Sequence, residues 1–239
     1  MGLLIPFYID PGFTPHKKTA SDWEYLIYLK SLHADVPVIA IINPYNGPGE
    51  EIQESYTKGI KDLQAAGIQV VGYLPLGYFQ SSMKIVERMY QHWNEWYPAL
   101  DGMFCDEFPD SYDTKTERAL TRLIPTAYED KILIINPGVC MKVSSDVENM
   151  PFTIVVSWEN RDYPAMVETV KQIDYCSKFS EHPDMGCLVL EQRLKDRYLK
   201  RCILPFYDWV FVTPYPVEAN PWGKMDRRMV KRLFKLSDR

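Results

Sequence analysis

The residues best suited to chemistry in this chain stand where apolar runs end. One run closes on Tyr8-Ile9-Asp10, the next on Ile42-Asn43-Pro44, and a third on Gly72-Tyr73-Leu74-Pro75, with Tyr78 just beyond. Later runs close on Cys105-Asp106-Glu107, Asn136-Pro137-Gly138, Trp158-Glu159-Asn160, Glu191-Gln192 and Thr213-Pro214-Tyr215. Carboxylates move protons and attack electrophilic carbon, amides bond hydroxyl groups, and aromatic faces stack on pyranose rings. Such a set describes a sugar-binding cleft better than a phosphate site. Gly47 and Gly49 are not followed by the Lys-Ser/Thr of a phosphate loop, so they read as positive-φ turn positions. Asn43 and Asn136, each before Pro, are equally readable as turn formers that end a strand.

Other chemistries have little support. The histidines, His16, His33, His92 and His182, lie at no metal-ligand spacing, and the five cysteines (Cys105, Cys140, Cys176, Cys187 and Cys202) are odd in number and irregularly spaced. No GxSxG motif occurs, and Cys105 has no identifiable base partner. No metal and no cofactor are therefore expected.

The elements that must position these residues follow from hydrophobic period. Short runs rich in β-branched and aromatic residues alternate with segments of helical period, without a Pro/Gly/Ser linker between copies. The expected strands are residues 3–10, 36–44, 68–76, 102–107, 131–136, 152–159, 186–191 and 209–214. They are apolar for most of their length, as parallel strands covered on both faces must be. The second helix is expected to present Ile52, Tyr56, Ile60 and Leu63 on one stripe, and the third Met83, Val86, Tyr90, Trp93 and Tyr97. Ser21 with Glu24, Thr114 with Glu117 and Ser145 with Glu148 have capping-box spacing, and Gly67 can end the second helix. The basic C-terminal segment is read as the eighth helix, burying Met225, Met229, Val230, Leu233 and Phe234. Eight strand-helix units close naturally into a single (β/α)8 barrel over residues 1–239. The competing open doubly wound sheet lacks the GxGxxG fingerprint after the first strand.

In such a barrel the reactive groups project from the C-terminal strand ends. Adjacent strand residues face opposite ways, so Asp106 and Glu107 cannot both face the barrel axis unless the strand bends.

The segments LIPFYIDPG, IINPYNGPG, GYLPLGY, DGMFCDEFP, INPG, the SWE end of the sixth strand and VTPYPVEANPW occur in that order. Together they resemble the spherulin-4 family, which includes glycoside hydrolase family 135, and more distantly the family 114 endo-galactosaminidases. The resemblance implies a (β/α)8 barrel that cleaves polysaccharides of α-1,4-linked galactosamine or N-acetylgalactosamine. It matches Asp106 and Glu107 to the acidic pair of the fourth strand and Glu159 to the acid ending the sixth. On that basis Asp106 is assigned as nucleophile or charge stabiliser, Glu159 as general acid/base and Glu107 as a supporting residue. Tyr8, Asp10, Asn43, Tyr73, Tyr78, Asn136, Trp158 and Glu191 are candidates for sugar contact. Leu76 stands where the family tends to have Thr, and Asp10 where an aromatic is commoner. A carbohydrate-binding barrel without catalysis is the alternative.

Bulk properties bound the partners. The chain carries 27 basic against 32 acidic residues, net −5, which argues against nucleic acid. No apolar run approaches a membrane span. A polysaccharide or oligosaccharide is the expected partner of a monomeric chain. The resemblance implies export, whereas the N-terminal run Leu3–Ile9 lacks the parts of a signal peptide. Cytoplasmic residence and an already removed leader both stay open.

Overall fold

The computed structural model describes residues 1–12, 20–80, 82–124, 131–145, 147, 152–165, 167, 169–170 and 183–238. Eight strands are hydrogen-bonded to their sequence neighbours, all parallel, and the last pairs with the first to close a barrel. They are β1 (Gly2–Phe7), β2 (Val38–Ile42), β3 (Gln69–Pro75), β4 (Gly102–Asp106), β5 (Ile132–Ile135), β6 (Ile154–Asn160), β7 (Asp184–Val189) and β8 (Trp209–Val212). Each falls on an apolar run expected from the sequence. The reason is burial on both faces: β1 and β2 are buried at every position. A (β/α)8 architecture is thereby established. Outside the barrel, Ser111–Tyr112 and Lys142–Val143 form a two-stranded parallel ribbon.

The wall is covered by α1 (Asp22–Leu32), α2 (Glu54–Ala65), α3 (Met83–Trp96), α4 (Thr114–Leu123) and α5 (Arg227–Ser237). A short turn, Asp196–Tyr198, runs into a π-helix at Leu199–Ile203 after β7. The α1 capping box forms as expected: Glu24 N–H donates to the Ser21 hydroxyl, and Ser21 N–H donates to the Glu24 carboxylate. At α4 the expectation is corrected. Asp113, not Thr114, is the cap, because its carboxylate accepts the Thr116 N–H at 2.8 Å and an anion suits a helix N-terminus. The Ser145 and Glu148 pair, His16, His182 and Cys176 involve positions outside the described residues.

On α2, Tyr56, Ile60 and Leu63 are buried, whereas Ile52 precedes the helix and is 52% exposed. Gly67 follows this helix at φ 80°, the left-handed geometry of a helix stop. On α3, Val86 and Trp93 are buried and Tyr97 is buried just past the helix end. Trp93 fills the notch left by Gly72, where a Cβ would lie 2.8 Å from its ring, and its indole N–H donates to the Tyr73 carbonyl at 2.8 Å. A helix side chain thus fixes the strand from which Tyr73 projects. The amphipathic α5 buries Met229, Val230, Leu233 and Phe234, and Arg227 ties it to Asp22 of α1 at 2.7 Å. Among the described residues no helix is long and apolar enough to cross a membrane.

Barrel closure leaves no room at the start of β4. A Cβ at Gly102 would sit 1.8 Å from the carbonyl oxygen of Ile132 on the paired strand, a main-chain atom that cannot swing aside. Gly102→Ala is expected to cost about 3 kcal/mol or more, read from the shift in the denaturant midpoint. A loss below about 1 kcal/mol would show that β4 and β5 can separate freely there.

Candidate active site at the C-terminal mouth

Strand register decides which residues face the barrel axis. Tyr73 pairs near Phe104 in register and their rings stack at 6.2 Å, so both belong to one face of the sheet. Counting by twos, Asp106 shares that face on β4. The same count carried across the ladders puts Tyr8 after β1 and Asn136 after β5 on it as well.

Glu159 reaches this face by a different route. Val156 pairs with Gly186, but Trp158 pairs with the next residue, Cys187, so Ser157 is an extra residue in β6. Without it, Val156 and Trp158 would share the inner face and Glu159 would point to the helices. The bulge reverses that, and Glu159 aligns with Leu188, two residues on from Gly186. Gly138 spans the irregularity: its N–H donates to the Val156 carbonyl, and its own carbonyl accepts the Glu159 N–H at 2.9 Å. It does so at φ 67°, where a side chain would be strained.

Five side chains therefore converge. The Tyr73 hydroxyl donates to Asp106 Oδ2 at 2.7 Å. The Asn136 amide Nδ2 donates to Asp106 Oδ1 at 2.8 Å and to Glu159 Oε2 at 2.5 Å. Tyr8 meets the edge of the Tyr73 ring at 5.3 Å. The two carboxylate oxygens that share the amide are no farther apart than those two bonds laid end to end, about 5.3 Å.

Electrostatics bears most on Glu159. Burial, and then the charge of Asp106, raises Glu159 to about 7, against a smaller opposing effect of the Asn136 hydrogen bond. Asp106 accepts from two donors, Tyr73 and Asn136. Burial and the Asp106 charge push the Tyr8 and Tyr73 phenols up, so both stay protonated donors. Burial likewise pushes the Cys105 thiol up, which leaves it a poor nucleophile.

The remaining candidates stand apart from this group. Glu107 adopts φ 52°, which turns the chain out of β4 and sends its exposed carboxylate to the Gly77 N–H at 3.2 Å. The carbonyls of Asp106 and Glu107 accept the N–H groups of Leu76 and Tyr78, so the β3 loop is sewn to the end of β4. Leu76 itself is fully buried. Asp10 is exposed and accepts the Gly12 N–H, and Asn43 Oδ1 accepts the Gly47 N–H, so each closes its own loop. Trp158 donates its indole N–H to the Asp162 carbonyl, and Tyr78 is 54% exposed at the rim. Glu191, at φ 55°, faces Arg161 at 3.0 Å, and Arg161 also bonds Glu218 at 2.8 Å. That three-loop link and the exposed Tyr45 escaped the sequence reading, because no local pattern joins residues so far apart. Among the described residues no three His, Cys, Asp or Glu side chains are grouped so as to hold a metal ion.

Comparison with known proteins gives a consistent family and fold. The profile of spherulation-specific family 4 matches residues 2–225. Spherulin-4 of Physarum polycephalum is 33% identical over 106 residues, which is 44% of this chain and only 29% of that protein's length. Sph3 of Aspergillus clavatus, solved in complex with GalNAc, superposes with a TM-score of 0.76 at 19% identity, covering 100% of this chain and 97% of that one.

Proposed function

This chain belongs to spherulation-specific family 4, and from that membership and the carboxylate geometry we propose that it is a glycoside hydrolase. Its substrate would be a polysaccharide containing α-1,4-linked galactosamine or N-acetylgalactosamine, cut within the chain. The fold neighbour solved with GalNAc supports an amino sugar as ligand. The observation that carries the reading is the pair Asp106 and Glu159 on one shared amide.

A limit of about 5.3 Å between the two oxygens that share the amide counts against inversion, which needs carboxyl groups about 6.5 to 9.5 Å apart, and in favour of a retaining double displacement, which uses about 5 to 5.5 Å. Asp106, held by two hydrogen bonds, attacks the anomeric carbon. Glu159, which holds its proton up to about pH 7, delivers it to the departing glycosidic oxygen. Water then enters, Glu159 takes its proton, and hydroxide displaces Asp106 from the sugar. Tyr73 and Asn136 hold the nucleophile in line, while Tyr8 offers a hydroxyl beside the reacting carbon. Tyr78 and Trp158 supply aromatic faces at the rim for neighbouring sugar rings, and Glu107 sets the β3 loop.

The test is incubation of the intact protein with acetylated and partly deacetylated α-1,4-linked galactosamine polymers, following new reducing ends and the first-formed anomer by NMR. Internal cleavage with the α-anomer released first is expected. Binding without new reducing ends over long incubation would make this a carbohydrate-binding barrel instead. Neither binding nor cleavage would remove the carbohydrate reading altogether.

A further inference from the structure

Asn136 was expected either to end a strand or to bond a sugar; it directly follows the last residue of β5, and its side chain lies between two acids. The side chain is 4% exposed. Its main chain is fixed on both sides, with its N–H donated to the Cys105 carbonyl and its own carbonyl accepting the Phe108 N–H. Its amide nitrogen spends one hydrogen on Asp106 and the other on Glu159. Its Oδ1 is buried and has no hydrogen-bond partner among the described residues. An orphaned buried acceptor is costly, so the two carboxylates must hold the amide in this orientation. Turning it over would set a carbonyl against both acids.

We propose, on the hydrolase reading above, that Asn136 is a positioning residue: by claiming Asp106 Oδ1 and Glu159 Oε2 with one amide, it places the transferable proton of Glu159 on Oε1 and holds the Asp106 carboxylate in place. Oε2 faces a donor and cannot also carry a proton along that bond. Oε1 is therefore the oxygen that serves the leaving group. Asp106 has both oxygens occupied by donors, Tyr73 on one and Asn136 on the other. The groups that sense Glu159 are Asp106 from β4, Tyr73 from β3 and Tyr8 from β1. On the β7 and β8 side, the cation Arg161 is held by Glu191 and Glu218. Donation from Asn136 is what partly offsets burial and the Asp106 charge at Glu159.

The test is Asn136→Leu, which keeps the branched shape and removes both donor and orphan acceptor, with Asn136→Ala as the second variant should the first not fold. Glu159 is titrated directly, through the carboxyl signals of 13C-Glu-labelled protein assigned with Glu159→Gln, so no substrate is needed. Its midpoint is expected to rise by about one pH unit, and the alkaline limb of kcat/KM on the polymer to move with it. A midpoint that stays put or falls overturns the positioning role. A risen midpoint in a protein that cleaves no polymer upholds that role and sinks the hydrolase reading. Cleavage by the unaltered protein with an unmoved midpoint in the variant sinks the positioning role alone.

Discussion

Asp106→Asn is expected to lower kcat/KM on an α-1,4-linked galactosamine polymer by about 10⁴-fold or more, with the fold intact. Asn has nearly the same shape and can still accept from Tyr73, so the β3 and β4 ends stay joined. What it lacks is the negative charge that attacks the anomeric carbon. Glu159→Gln is expected to lose about 10²- to 10⁴-fold, the usual worth of a positioned general acid. Initial rates of reducing-end formation, with circular dichroism as the check on folding, measure both. Undiminished activity in both variants would remove the assignment of this pair.

Glu159 should also make activity and stability depend on pH in one direction. Its carboxyl is raised in the folded protein from an ordinary 4.5 to about 7. Activity requires the protonated acid, so kcat/KM falls as pH rises through about 7. For stability, the folded state holds this proton more tightly than the unfolded chain does. The benefit is full below about pH 4.5 and is lost as pH climbs to about 7, because the unfolded group then ionises freely while the folded one is buried beside Asp106. The span corresponds to roughly 3 kcal/mol. Glu159→Gln removes the cost of burying that charge. It is expected to match the unaltered protein in urea stability at pH 4 and to exceed it by up to about 3 kcal/mol at pH 8. A stability gap that does not widen with pH would mean that Glu159 ionises without penalty. The same residue then serves catalysis at the expense of stability, a trade common at active sites.

Much of the scaffold was legible because its determinants are local. Apolar runs of strand length alternating with helical stripes located all eight strands, since a parallel strand covered on both faces admits few polar residues along its length. The Ser21 cap and the Gly67 stop were readable for the same reason: each involves residues within a few positions of one another. The α4 cap was misread because Asp113 and Thr114 can both accept, and only the geometry showed which oxygen faces the free N–H. Leu76, which the sequence left as a departure near the cleft, is in the core and contributes its backbone N–H to Asp106.

That Asp106 and Glu107 face different ways followed from the sequence alone, because side chains alternate with a period of two along any strand, while the register of β4 showed that Asp106 is the inward one. Alternation sufficed to separate the pair. The position of Glu159 did not follow, since the same alternation, run without interruption through Ser157, would have aimed it away from the barrel. The bulge arises from the register of β6 against β7 and from the Gly138 turn on the neighbouring strand, and both are contacts between distant parts of the chain. Asn136 was visible as a residue, but its office between two carboxylates was not. Sequence therefore determined the barrel and that only one acid of the adjacent pair can face inward, because propensity and alternation are properties of neighbours. The tertiary structure decided that a second acid meets the first, because only closing the sheet brings the ends of β4, β5 and β6 onto one amide group.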